Sequence, residues 1–312
     1  LADPPVTTFV IIPAYQMLDW RVDQAQPWPR SMNPEPGAEV VMANRLLSTL
    51  AFFLLAGEVL AAGPITPEAE LDVALVIAVD VSSSMEGEEQ GLQREGFVEA
   101  FRSSLVHEAI ANGLHGRIAV TYVEWSGVKD QRVLVPWTII DSPEKATSFA
   151  NHLAYQPIRQ AGMTSISGII DHSRKLFEQL GGTPIRRVVD VSGDGPNNDG
   201  RHVSYARDEA VADGIVINGL PIMFKRASGS TELQDLDLYF KECVIGGVGS
   251  FVLPLHDPEQ FAMVIRTKIM REIAGIGAAP RIVPAQASMP SMNCVTGEKR
   301  KQEDLLSQER KP

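Results

Sequence analysis

Every residue from Leu75 to Val79 is apolar, and the run stops abruptly at the carboxylate of Asp80. A short, non-alternating, Val/Ile-rich run of this kind suits a strand covered on both faces, as in a parallel sheet packed between helices. Asp80, Ser82 and Ser84 then occupy alternate positions as the chain leaves the strand's C-terminal end. That edge is where open α/β sheets bind ligands. Three oxygen-bearing side chains there can converge on one hard cation. Mg²⁺ takes such partners: few carboxylates, some hydroxyls and retained water. The plainer explanation of the same residues is a helix start, because Ser and Asp are preferred N-caps.

Two further segments bear on that choice. Gly162-Met163-Thr164-Ser165 precedes an amphipathic helix whose apolar positions are Ile166, Ile169, Ile170, Phe177 and Leu180, with Thr164 at its mouth. Arg187-Val188-Val189-Asp190-Val191-Ser192-Gly193-Asp194-Gly195 reads as a second buried strand ending in an aspartate. Asp80, Ser82, Ser84, Thr164 and Asp194 therefore come from three loops that can meet at one sheet edge. This order of Asp-x-Ser-x-Ser, a lone Thr and an Asp before Gly resembles the metal-ion-dependent adhesion site of the von Willebrand factor A family. From about Leu71 to Ala274 the chain further resembles a bacterial group of exported A-type proteins classed as a domain of unknown function. Gly116 to Trp125, Asp190 to Asn198 and Cys243 to Gly247 carry that closer likeness.

The remaining pattern predicts alternating elements. Strands are expected at Asp72–Val79, Arg117–Trp125, Arg132–Ile140, up to Ser192, at Ile215–Leu220 and at Phe251–Leu255. Helices are expected from Met85 to Ser104, after Ser142-Pro143, after Thr164, at Val203–Ala212, at Leu233–Cys243 and after Asp257. Phe97, Val98, Phe101 and Leu105 should face inward on the first helix. Phe261, Val264, Ile265, Ile269 and Ile273 should do so on the last. A short Gly-containing turn before Arg132 makes that strand an antiparallel edge. The fold class expected is thus α/β: a three-layer, doubly wound, mostly parallel sheet with one antiparallel edge strand.

The ends differ from this middle, which occupies residues 70–275. Met42-Ala43-Asn44-Arg45, the apolar stretch to Gly57 and the small residues to Ala62 have the layout of a secretory signal over residues 42–62. The apolar stretch falls short of the roughly 20 residues a bilayer span needs. No stable membrane span is expected after cleavage, and the mature protein would be periplasmic or secreted. Residues 1–41 read as a non-native or disordered extension, and residues 276–312 as a disordered tail. The net charge of −11 argues against nucleic acid as a partner. Of the two cysteines, Cys243 reads as a buried, inert thiol and Cys294 lies in the tail. Whether they pair stays open.

The resemblance implies that Ser82 and Ser84 bind the ion directly, that Asp80 and Asp194 act through water, and that Thr164 joins in either way. The ion would be Mg²⁺, with Mn²⁺ or Ca²⁺ as alternatives, and a partner protein's Asp or Glu side chain would complete its shell. Bottom-up electrostatics agree: two carboxylates about 5 Å apart repel by about 3 kcal/mol at an effective dielectric near 20, which a cation offsets. The expectation is a non-enzymatic binding module. One rival is a Mg²⁺-dependent haloacid-dehalogenase-like phosphatase, suggested by Gly193 to Asp199. Ser82 stands where such an enzyme needs its second, proton-donating Asp. The other rival is a scaffold with a purely structural metal. Among neighbouring residues, Glu86, Glu88 and Glu89 suit a helix's first turn. Asp190 needs a buried partner, with Arg186 or Arg187 as candidates. Glu124 can shape the pocket, and Trp125 is expected to pack. Asn197, Asn198 and Asp199 are either turn formers or groove lining.

Overall fold

The computed structural model describes residues 69–224, 235–275 and Cys294. The expectations for residues 1–41, for the leader at 42–62 and for the rest of the 276–312 tail lie outside the described residues. Five strands form one sheet: β1 (Glu70–Asp80), β2 (Ile118–Trp125), β3 (Gln131–Ile140), β4 (Thr183–Gly193) and β5 (Ile215–Pro221). Their order is β3-β2-β1-β4-β5. β1 runs parallel to both β2 and β4, β4 runs parallel to β5, and only β2 and β3 are antiparallel.

The helices are α1 (Gly87–Arg102), α2 (Ser104–Ala111), α3 (Pro143–Ala154), α4 (Ile166–Glu178), α5 (Val203–Ala212), α6 (Leu236–Tyr239) and α7 (Phe261–Ala274). Side-chain alternation along β1 shows why the sheet needs helices on both sides. Val73, Leu75, Ile77 and Val79 enter one core with residues of α1, α2, α3 and α7. Ala74, Val76 and Ala78 enter a second core with residues of α4, α5 and α6. All seven are buried. Successive strand residues point to opposite faces, so a strand apolar at every position must be roofed twice. The expected three-layer α/β fold with one antiparallel edge strand is the fold observed.

Three local expectations need correction. The first predicted helix is two helices. Ser103 adopts an extended conformation (φ −75°, ψ 132°) that ends α1 and begins α2. The break shifts the helical phase, so Leu105 is exposed, and Val106 and Ile110 point inward in its stead. The segment Phe251–Leu255 is not a sixth strand. It meets β5 and the residue after it only through isolated bridges, Gly219 to Val252 and Ile222 to Leu255. Pro254 has no N–H to extend a ladder there. Of the predicted helix 233–243, the described part is the single turn α6 continuing as a π-helical turn, Phe240–Val244. That turn packs closely on β5: a Cβ on Gly219 would lie 2.6 Å from the Phe240 ring. Among the described residues, no helix is long and apolar enough to cross a membrane.

Cys243 is not a free thiol. It forms a disulfide with Cys294, with 5.7 Å between the Cα atoms. Cys243 is fully buried in the second core, and Cys294 packs against that core. The pairing was not deducible from spacing, because chain separation says nothing of approach in space. The bridge closes a loop of 51 residues, which in the chain-entropy picture contributes roughly 4 kcal/mol. We therefore expect Cys294→Ser, or reduction of the wild-type chain, to lower the urea midpoint without loss of far-UV circular dichroism. An unchanged midpoint would show that the bridge adds nothing to stability.

Candidate functional site

Strand order sets the position of the site. The chain winds from β1 towards β2 on one side and returns through α3 and α4 to β4 on the other. The direction of winding therefore reverses between β1 and β4, and a crevice opens at their C-terminal ends. Asp80 ends β1, and Asp194 follows directly after β4.

The first loop is fixed by its own backbone. Val81 N–H donates to the Trp125 carbonyl, and Ser82 N–H donates to Asp80 Oδ1 at 2.7 Å. Met85 N–H closes a turn onto the Ser82 carbonyl, and the Met85 side chain is fully buried. Glu88 and Glu89 lie in the first turn of α1 as expected, whereas Glu86 is its N-cap and forms a reciprocal capping box with Glu89. This turn brings Ser82 Oγ within 3.0 Å of Ser84 Oγ. Ser84 Oγ donates to Asp194 Oδ1 at 2.6 Å, joining the first loop to the third. A Cβ on Gly193 would come within 2.9 Å of Asp80 Oδ2 and push on that carboxylate, so β4 ends close beside Asp80.

The second loop, residues 155–165, is laced to both others. Ser83 N–H donates to the Gly162 carbonyl, and Ala161 N–H donates to the Val81 carbonyl. Gln160 Nε2 donates to the Met85 carbonyl. On its far side, Thr164 N–H donates to Asn198 Oδ1 at 2.8 Å, while Asn198 N–H donates back to the Thr164 carbonyl. Asn197 Oδ1 accepts from Ser167 N–H at the start of α4, and Asp199 Oδ2 accepts from Val128 N–H. The Asn197–Asp199 stretch is therefore a clamp between loops. Asp80, Ser82, Thr164 and Asp194 are buried, and Ser84 is half-buried. The structure thus links Asp80, Ser82, Ser84 and Asp194 through side-chain and backbone contacts. Thr164 bonds through its backbone to Asn198 and Asp199 of the third loop, four and five residues beyond Asp194.

The donor set can be tested against an ion. Octahedral Mg²⁺ holds oxygens at about 2.1 Å, so adjacent ligands stand about 3.0 Å apart. The two serine hydroxyls have that spacing, which is also an ordinary O–H···O distance. Ser84 spends its single proton on Asp194, so Ser82 is the donor between the two hydroxyls, and these two bonds occupy all of Ser84 Oγ but one lone pair. Among the described residues, no group of three or more His, Cys, Asp or Glu is placed to hold a metal ion. Asp80, Ser82, Ser84 and Asp194 offer oxygen donors alone, the donor type that hard cations take.

Several supporting residues were missed or misassigned in the sequence. Glu124, at the end of β2, is buried and paired with two guanidiniums, Arg94 from α1 and Arg159 from the second loop. Arg159 also reaches Asp130 at 2.9 Å and, through that hydrogen bond, holds the Asp130 carboxyl below its usual range. Gln93, buried on α1, donates to Ser192 Oγ at 2.6 Å. Asp190 pairs with neither Arg186 nor Arg187. Its partner is Lys268 of α7, at 2.5 Å, which also binds Glu272 at 2.5 Å. Strand alternation assigns Asp190 to the α7 face but cannot name a partner so distant in sequence. Trp125 is fully buried in the second core, the packing role expected of it.

The chain forms a doubly wound α/β domain, its mostly parallel sheet carrying one antiparallel edge strand. Within that class of fold it is a member of the family described as "Protein of unknown function (DUF1194)", which matches residues 70–277. No curated protein matches its sequence significantly. Among solved structures, it is similar to proximal thread matrix protein 1 from the mussel byssus with a zinc-occupied MIDAS motif. That pair shows 16% identity and a TM-score of 0.46, over 66% of this chain and 49% of that one. It is also similar to the open pilus adhesin SpaC from Lactobacillus rhamnosus GG, with 13% identity and a TM-score of 0.49 over 65% and 30% of the two chains. A von Willebrand factor type A protein from Catenulispora acidiphila shows 13% identity and a TM-score of 0.44 over 66% and 43%. This chain thus spans about half the length of the mussel protein.

The buried Asp190–Lys268–Glu272 group holds two carboxylates against one ammonium. Burial raises the Glu272 carboxyl to about 7, helped by the Asp190 charge and opposed by Lys268 and by the Asn218 amide. Burial raises Asp190 too. Burial alone would depress Lys268, but the two carboxylates hold its pKa up. A carboxyl whose folded pKa lies above its unfolded value stabilises the protein at low pH and loses that contribution as pH rises through the folded value. Between pH 5.5 and 8 this loss amounts to roughly 2 kcal/mol. Glu272→Gln should remove that dependence, so the denaturation midpoints of variant and wild type should diverge in the variant's favour as pH rises. Parallel pH profiles for the two proteins would refute the assignment.

Proposed function

We propose that this protein is an exported, non-enzymatic binding module. Its three-loop cluster would hold a divalent cation, Mg²⁺ by preference, and recognise a partner protein through an acidic side chain. The observation that carries the reading is the Ser82–Ser84–Asp194 chain of contacts across the β1/β4 crevice. Ser82 and Ser84 would bind the ion, with Thr164 as the contribution of the second loop. Asp80 and Asp194 would balance its charge while orienting the first loop, as Asp80 does already through Ser82 N–H.

When bound, the cation would supply an electrophile touched directly only by neutral hydroxyls; with Asp80 and Asp194 acting through water, a directly bound anionic ligand from outside would be favoured. The chain's own contribution is pre-organisation. Ser83 is exposed and Ser84 half-buried, so solvent and ligand reach the cluster from the loop side, while the carboxylates stay buried. Export fits the Cys243–Cys294 bridge, because disulfides persist in oxidising compartments.

Thermal denaturation with and without Mg²⁺ or Mn²⁺ tests the reading. A ligand that binds only the folded state raises Tm, and saturation at 100 times Kd adds about 2.7 kcal/mol. Wild type should show a Mg²⁺-dependent rise that a chelator reverses. Asp80→Ala and Ser82→Ala should each remove the rise while retaining a cooperative transition. A wild-type Tm indifferent to every divalent ion tried would defeat the proposal.

A further inference from the structure

Glu124 stands in register with Val79, the residue before Asp80, so its buried charge lies one step below the crevice. Its two guanidinium partners are not equivalent. The Glu124 and Arg94 side chains are 2% and 7% exposed, whereas Arg159, from the second loop, is 22% exposed. Arg94 alone would keep Glu124 paired, so Arg159 is not needed to neutralise that carboxylate. What Arg159 adds is a connection. Its Nε donates to Glu124 Oε2 at 3.1 Å, and its Nη1 donates to Asp130 Oδ2 at 2.9 Å. Asp130 is tied in turn to the end of β2, because Ser126 Oγ donates to the same Oδ2 at 2.6 Å. The residues directly after Arg159 hold the first loop. Gln160 Nε2 donates to the Met85 carbonyl, Ala161 N–H donates to the Val81 carbonyl, and the Gly162 carbonyl accepts from Ser83 N–H. Thr164 follows two positions later.

Resting on the metal-dependent reading above, we propose that Arg159 is a positioning residue for that site. It touches no ion. It holds the second loop against the end of β2, so that Thr164 and the first loop stand at a spacing one divalent ion can bridge. Arginine suits the task, because its planar fork engages two carboxylates in fixed geometry, whereas lysine offers the same charge as a point on a flexible stem. Groups that orient metal ligands in this way commonly govern affinity by about tenfold or more. The charge of Arg159 acts in the opposite sense. One cation repels another, so on charge alone the loss of Arg159 would tighten the binding of a divalent ion. Positioning makes the same loss weaken it. The sign of the change therefore separates the two roles.

Calorimetric titration of the full chain with Mg²⁺, on wild type, Arg159→Gln and Arg159→Lys, tests the assignment. Arg159→Gln should raise the Mg²⁺ Kd by about tenfold, and Arg159→Lys should recover part of the loss by reaching one of the two carboxylates. In chelator, the urea midpoints of the three proteins should lie close together. Partly exposed ion pairs add little stability, and Arg94 still pairs with Glu124. Unchanged or tighter Mg²⁺ binding by Arg159→Gln, with wild type binding the ion, overturns the positioning role and leaves the metal reading standing. So does weaker binding accompanied by a lowered metal-free midpoint in both variants, which is the mark of a merely structural residue. A wild-type chain that takes up no Mg²⁺ overturns the metal reading itself, and the positioning role with it.

Discussion

β1 cannot face water on either side, and the rest of the molecule is arranged around that constraint. Its seven inward residues from Val73 to Val79 divide between two cores, each roofed by helices. A strand in this position must be flanked by strands on both edges, and β2 and β4 supply them in parallel register. The reversal of winding beside β1 then follows from topology. It places a crevice at the C-terminal ends of β1 and β4, where Asp80 and Asp194 emerge. The candidate site is thus a consequence of where the most apolar strand lies.

Loops at such an edge are held by few apolar contacts, so hydrogen bonds must fix them. Backbone bonds join the first loop to the second through Ser83 and Gly162, and reciprocal bonds between Thr164 and Asn198 join the second to the third. Beneath them lies a buried polar layer. Glu124 ties α1 and the second loop to the end of β2. Ser192 binds Gln93 of α1, and Asp190, two residues earlier on the same face, binds Lys268 of α7. Asp190 and Ser192 of β4 thus connect to α7 and to α1, and Asp194, just past the strand, connects to the first loop. Removing one member of such a buried pair leaves an uncompensated charge, which costs more than the pair itself contributes.

Much of this was legible in the residues because it depends on local period. The unbroken run to Val79, the Gly turn before β3, Ser142-Pro143 opening α3 and the inward stripe of α7 each follow from nearest-neighbour rules. Ser142 does cap α3, accepting from Lys145 N–H. The order Asp80, Ser82, Ser84, Thr164, Asp194 was readable as a candidate set. The break at Ser103 was not, because nothing in its neighbours forbids a continuous helix there. Pro254, which has no N–H for a ladder, is the signal in Phe251–Leu255 against a regular strand, and a reading by apolar pattern passes over it.

The sequence by itself determined the periodicity of each element, the depth of β1 and the chemical types available to the three loops. These are properties of a residue and its neighbours along the chain. Tertiary structure alone decided the pairing of Asp190 with Lys268, the two arginines on Glu124 and the Cys243–Cys294 bridge. Each of these joins segments far apart in sequence. Their meeting depends on strand order and helix packing, which residue spacing does not encode.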